Sequence, residues 1–165
     1  MEEVIPRETD TFSNFKSFMS RYQDCVNDIG SLGYDCLISK TEFYSPEGSE
    51  DYSGFYIQNM TDKSFTNMEF ESVKLLFENT EVKMIDLVTK DSLVICSFDM
   101  CTPGRSFDYG IYYTSLNNEI YLGDPSAELF QNGNGFNYEE KASYGVKFSY
   151  YTEKITDYFY YYEIM

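Results

Sequence analysis

The sequence predicts an α+β fold, with one or two helices packed on a mostly antiparallel sheet of six to eight strands. Three observations carry this expectation. Apolar residues recur at helical spacing near the start of the chain, from Phe15 to Ile29. Beyond Gly33 the apolar period shortens to that of strands, interrupted by turn residues. No alternation of strand and helix follows, so a parallel doubly wound sheet is not expected.

Each element follows in order. Residues 1–10 carry Pro6 and several acidic residues, and read as an acidic lead-in to a single domain over 11–165. A helix is expected over 11–29, with Phe15, Phe18, Met19, Tyr22, Val26 and Ile29 on one face. Asp10 or Thr11 can cap its first turn, and Gly30 with Gly33 can end it. Strands are expected over 36–44 and 52–58, around the turn Ser45-Pro46-Glu47-Gly48. Thr66-Asn67-Met68-Glu69 has the form of a capping box, which predicts a second helix over 67–78 burying Phe70, Val73, Leu76 and Phe77. A strand competes there, because Met68 and Phe70 also alternate. Residues 82–88 and 93–98 read as a hairpin around Thr89-Lys90-Asp91-Ser92. Residues 107–114 and 119–122 read as another, with Asn117-Asn118 at its tip, since Asn tolerates positive φ. Asp124-Pro125 can open a helical turn, broken by Gly133-Asn134-Gly135. The last strands are expected over 146–152 and 158–164.

The aromatic residues are 14 Phe and 17 Tyr with no Trp, a composition that suits pleated, half-buried surfaces. Acidic residues number 28 against 12 basic ones, giving a formal charge of −16. Such a field repels nucleic acid and anionic membranes and attracts basic surfaces. No apolar run is long enough to span a bilayer as a helix. Met1-Glu2-Glu3 lacks the basic start of a secretory signal. The expected location is therefore the cytoplasm, or an extracytoplasmic site if a native signal precedes these residues. Cys25, Cys36, Cys96 and Cys101 form no C-x-x-C pair and read as reduced, mostly buried thiols.

The chain contains no His, which removes His-based acid–base catalysis, His-activated nucleophiles and His-ligated metals. Gly133-Asn134-Gly135 lacks the Lys-Ser/Thr and third Gly of a phosphate loop and reads as a turn. Carboxylate pairs could be drawn from Glu69 with Glu71, Glu139 with Glu140, or Asp108, but chance pairs are unavoidable in so acidic a chain. Ser49-Glu50-Asp51 and residues 86–91 lack calcium-loop spacing. Neither catalytic residues nor a cofactor nor a metal is expected.

The last third carries Asp108-Tyr109-Gly110-Ile111-Tyr112-Tyr113, then Gly133-Asn134-Gly135-Phe136 with Tyr138-Glu139-Glu140. It closes on Tyr150-Tyr151-Thr152-Glu153-Lys154-Ile155 and Phe159-Tyr160-Tyr161-Tyr162-Glu163. These residues resemble the closing segment of a loose group of gut Firmicutes proteins, in which a GIYY stretch precedes a GNGW-like turn and a YYTE(K/R)I…YYYE end. Phe136 and Phe159 stand where that group has Trp. The resemblance implies a shared β-rich end and a bacterial source, keeps a surface or lipid-anchored reading open, and carries no site residue.

The tyrosine run supplies the site expectation. Tyr158, Tyr160 and Tyr162 share one face of a strand, flanked by Asp157 and Glu163. Tyr is favoured at interfaces, and carboxylates steer a basic partner. The alternative is that these rings are core. The expected function is a non-enzymatic acidic binding protein, an inhibitor or immunity-type antagonist of a basic and possibly nucleic-acid-binding protein, without direct nucleic-acid contact and with a monomer favoured. The other reading is a surface or lipoprotein-derived domain of unknown ligand. The binding face requires one row of these tyrosines to be exposed.

Overall fold

Pro6 occupies the first position of the first helix, where its missing N–H costs nothing because that donor has no partner inside the helix. The computed structural model describes residues 6–66, 69–100 and 108–164. Helix α1 (Pro6–Gly30) thus starts five residues before the expected position, and residues 6–10 are helix rather than lead-in. Its buried stripe is Phe15, Tyr22, Cys25, Val26 and Ile29, as the spacing requires. Phe18 is half-buried at a local break in helical geometry (φ −121°, ψ 18°), and Met19 lies at the edge of the stripe, 47% exposed.

The second helix, α2 (Glu71–Asn79), begins later than expected. Its N-cap is Phe70, with no side-chain capping bond. Thr66, the expected cap, instead pairs in the short strand β3 (Phe65–Thr66), while positions 67 and 68 of the box lie outside the described residues. Val73, Leu76 and Phe77 are buried and Phe70 half-buried, so the apolar face was correctly placed even though the cap was not.

Among the described residues the strands form one antiparallel sheet of ten, more than the expected six to eight. The first, β1 (Cys36–Lys40), pairs with β2 (Phe55–Asn59) and β4 (Met84–Lys90). Strand β4 turns into β5 (Leu93–Asp99) through Asp91 and Ser92, both at positive φ as a tight hairpin demands. Strand β5 pairs with β6 (Asp108–Thr114). Three strands went unpredicted: β3, and β7 (Phe130–Asn132) with β8 (Gly135–Ala142), the last two joined through Gly133 at φ 60°. Strand β9 (Gly145–Thr156) pairs with β8 and with β10 (Phe159–Ile164). The spatial order is β3-β2-β1-β4-β5-β6-β10-β9-β8-β7.

The expected strand over 119–122 does not form; a single bridge joins Tyr121 to Asp124. Nor does Asp124 cap a helix. Its carboxylate accepts from the Ser126 N–H (3.1 Å) and hydroxyl (2.7 Å), closing a local turn.

Both helices cover one face of the sheet, over Ile38, Ile57, Ile85, Leu87, Cys96, Phe98, Ile111 and Phe159. The other face carries a second core of Tyr112, Ile120, Tyr150, Tyr160 and Tyr162, with Tyr121 and Leu122 packed on it. Gly110 is required there: a Cβ would lie 2.1 Å from the Phe98 carbonyl oxygen and 3.0 Å from the Tyr162 hydroxyl. No helix among the described residues is long and apolar enough to cross a membrane.

Cys25, Cys36 and Cys96 are free and buried, while Cys101 lies outside the described residues. Burial, reinforced by Asp86 and Asp35, pushes the Cys36 thiol up to about 12. Burial also raises Cys25 and Cys96. Since the thiolate is the nucleophile, site-resolved alkylation at neutral pH should label these three at least about a thousandfold more slowly in native than in urea-unfolded protein. Rapid native labelling of any of them would contradict this packing.

Candidate functional site

The five expected contact residues do not form a surface. Tyr160 is fully buried, Tyr162 is 4% exposed and Glu163 2% exposed. The reason is topological: β10 lies between β6 and β9, and both sheet faces are covered at that point. The alternate row fares the same, with Phe159 packed on Phe15 and Tyr161 on Phe12. Glu163 accepts the Tyr161 hydroxyl at 3.1 Å. Only Asp157 and Tyr158, in the turn before β10, reach solvent. Asp157 pairs with Lys154 at 2.8 Å, which holds its carboxyl below the usual range. Tyr158 sits at φ 71°, is 42% exposed and stacks on Tyr113. The most exposed aromatics lie elsewhere, at Tyr144 and Phe130.

The buried tyrosines instead hold residues 115–129 to the sheet through one connected set of hydrogen bonds. The Ile120 N–H donates to the Tyr112 hydroxyl (3.0 Å), which meets Thr152 Oγ1 at 2.6 Å. Thr152 donates to the Tyr161 carbonyl (2.8 Å), and the Tyr150 hydroxyl donates to the Ile120 carbonyl (2.7 Å). The Tyr112 hydroxyl also lies within donating distance of the Ile120 carbonyl (3.2 Å); with Thr152 donating onward, its proton can serve either oxygen, and every group in the chain is satisfied. Burial raises Tyr112 to about 12 and keeps it a neutral donor.

Two buried phenols differ: the hydroxyls of Tyr22 and Tyr56 make no hydrogen bond of normal geometry, and stand beside the Thr80 and Ser39 hydroxyls. Each borders a cavity lined by carboxylates. The Tyr22 cavity, about 180 Å³, lies between α1 and the segment that follows α2, lined by Asp10, Thr11, Asn14, Thr80, Glu81, Met100 and Tyr109. There the Tyr109 hydroxyl donates to Glu81 Oε2 at 2.7 Å. Thr80 stands beside Tyr22; its hydroxyl donates to the Leu76 carbonyl (2.5 Å) and accepts from the Val82 N–H (3.2 Å), which leaves it one acceptor position. The Tyr56 cavity, about 210 Å³, carries Asp51 and Glu69. A third, shallower depression of about 470 Å³ interleaves Lys40 and Lys74 with Glu42, Glu69 and Glu78, so its charges compensate one another.

The carboxylates singled out in the sequence do not come together as pairs. Glu139 and Glu140 are consecutive on β8 and point to opposite faces. Glu69 and Glu71 are both exposed, at the start of α2. Asp108 is half-buried, with one carboxyl oxygen lacking a hydrogen bond. Among the described residues no three Asp, Glu, Cys or His converge as metal ligands.

Sequence reasoning put Tyr22 on the buried face of α1 but did not ask where its hydroxyl would find a partner. That question was the available signal for the cavity. The chain matches no family model, no curated protein and no solved structure.

The two kinds of phenol predict opposite mutational behaviour. Tyr112→Phe strands the buried Ile120 N–H, and should cost about 1–3 kcal/mol in urea denaturation. Tyr22→Phe removes no hydrogen bond of normal geometry, and should be neutral within about 0.5 kcal/mol, or stabilising. Equal losses at both positions would contradict the assigned bonding.

Proposed function

We propose that the protein is a non-enzymatic acidic binding protein, acting as an inhibitor or immunity-type antagonist of a basic protein. The observation that carries this reading is where the charge of −16 resides. Among the described residues every carboxylate side chain is exposed or half-exposed except Glu163. Burial confines the tyrosines of the two cores and leaves the acids facing solvent, so charge dominates the outward surface. A surface of this kind accelerates encounter with a basic partner and disfavours acidic ones. A protein whose own groove holds phosphates would be matched by such a display of carboxylates, with no nucleic acid contacted directly by this chain.

The tyrosine row of β10 has no part in the contact. The carboxylate-bordered cavities at Tyr22 and Tyr56 supply concave acidic features, and Tyr144, Phe130 and Tyr158 supply exposed rings.

The test is affinity capture from the source cell with mass spectrometry, followed by stopped-flow kinetics with the captured protein. The partner should be basic. Its association rate should fall about tenfold or more between roughly 0.05 and 0.5 M salt, with a much smaller change in dissociation. A partner without a basic surface, or a salt-insensitive association rate, would overturn the reading.

A further inference from the structure

A strand that faces water on one side alternates apolar and polar residues, whereas a strand covered on both sides is apolar nearly throughout. Strand β5 reads Leu93-Val94-Ile95-Cys96-Ser97-Phe98, the composition of a strand covered twice. The structure covers it on one face. Val94, Cys96 and Phe98 pack under the helices, together with Leu87 of β4 and Ile38 of β1. By alternation Leu93 and Ile95, Val88 of β4 and Leu37 of β1 fall on the opposite face. Among these only Ile95 packs against the second core. Leu37, Leu93 and Ile95 are half-buried, and Val88 is 39% exposed. The register sets them side by side, with Val88 opposite Ile95 and Asp86 opposite Leu37. On the same face Ser39, Tyr56 and Gln58 of β1 and β2 are buried again. The uncovered stretch is thus a gap over β4 and β5, between two covered regions of one sheet face.

Charge decides what fits the gap. Asp86 stands within it, exposed, between Leu37 on β1 and Ser97 on β5. Partial desolvation and then the charge of Asp35 raise its carboxyl above the usual range, so a cation brought beside it meets a poorly hydrated charge. Asp35 is fixed by the Thr89 N–H at 2.8 Å. The cation that alternation places on this face of β4, Lys90, lies at the strand's end and in the field of Asp124. A second copy of the chain would bring the same carboxylate and another charge of −16 against the gap, which electrostatics disfavours.

We infer that this face of β4 and β5, with Leu37, Asp86, Val88, Leu93 and Ile95, is where the basic partner docks, seating apolar side chains around a lysine or arginine that meets Asp86. The inference rests on the binding function proposed above and places the contact within it. Apolar contact around a charge pair shielded from water is how the centre of an interface concentrates its binding energy.

The experiment uses the full chain, labelled in its Leu, Ile and Val methyl groups, and the purified basic protein captured from the source cell. Adding that protein should shift the methyl resonances of Leu37, Val88, Leu93 and Ile95, and leave those of Ile38, Ile57 and Leu76 under the helices in place. Asp86→Asn and Val88→Arg, both at exposed positions, should each weaken its binding about tenfold or more. Glu78→Gln, which removes the same charge from exposed α2, should change binding less than about twofold. Methyl shifts centred elsewhere, or equal losses for Glu78→Gln and Asp86→Asn, would overturn the inference, while a steeply salt-dependent association would leave the functional reading standing. Sedimentation of the chain alone should show a monomer at the concentration of the NMR sample. A dimer that Val88→Arg dissociates would assign the face to a second copy and overturn the inference. A captured protein that shifts these methyls but is not basic would overturn the functional reading, and with it the cation assigned to Asp86. Capture of no protein would remove both.

Discussion

The structure depends on one strand having no free side. Strand β10 is hydrogen-bonded to β6 along one edge and to β9 along the other, and covered above and below by two separate cores. Through it the sheet's first six strands, which carry both helices, are joined to β7, β8 and β9. The residues nearest the chain end thus become the most interior part of the sheet. Each buried phenol removes on the order of 200 Å² from water, worth roughly 3–5 kcal/mol before conformational entropy is charged against it. The gain is larger where the hydroxyl finds a partner, and Thr152 and the Ile120 backbone provide partners on the face away from the helices.

This arrangement separates the two unusual features of the composition. Tyrosine goes inward, because a ten-stranded sheet with one helical layer offers a second face that residues 115–129 close only by binding phenols. Acid goes outward, because unpaired carboxylates cannot be buried cheaply.

How much of this the sequence disclosed depended on whether side-chain periodicity reported burial. It did for α1, where spacings of three and four mark the stripe that packs on the sheet, and for the β4–β5 hairpin, whose Asp91-Ser92 turn needs left-handed backbone. It failed for β7, where Phe130, Gln131 and Asn132 are all exposed, and for β8, where Glu139 and Glu140 interrupt any apolar alternation. Ile120-Tyr121-Leu122 looked like a strand because those residues favour strands; they are held through side chains and backbone hydrogen bonds to phenols instead. The site expectation erred for a related reason. Alternation correctly separated Tyr160 and Tyr162 from Phe159 and Tyr161, but the assumption that one of those faces meets water holds only for strands covered on one side. Strand order, invisible in a single sequence, decided the matter.

Native-state hydrogen exchange tests the central place of β10 most directly. The amides of Tyr160, Tyr161 and Tyr162 should exchange only through global unfolding, with an opening free energy equal to that from urea denaturation, while those of β7 exchange through local opening. Exchange of the β10 amides by low-energy local opening, at rates like those of β7, would mean that the closing strand is peripheral and its tyrosines accessible, and would contradict the account.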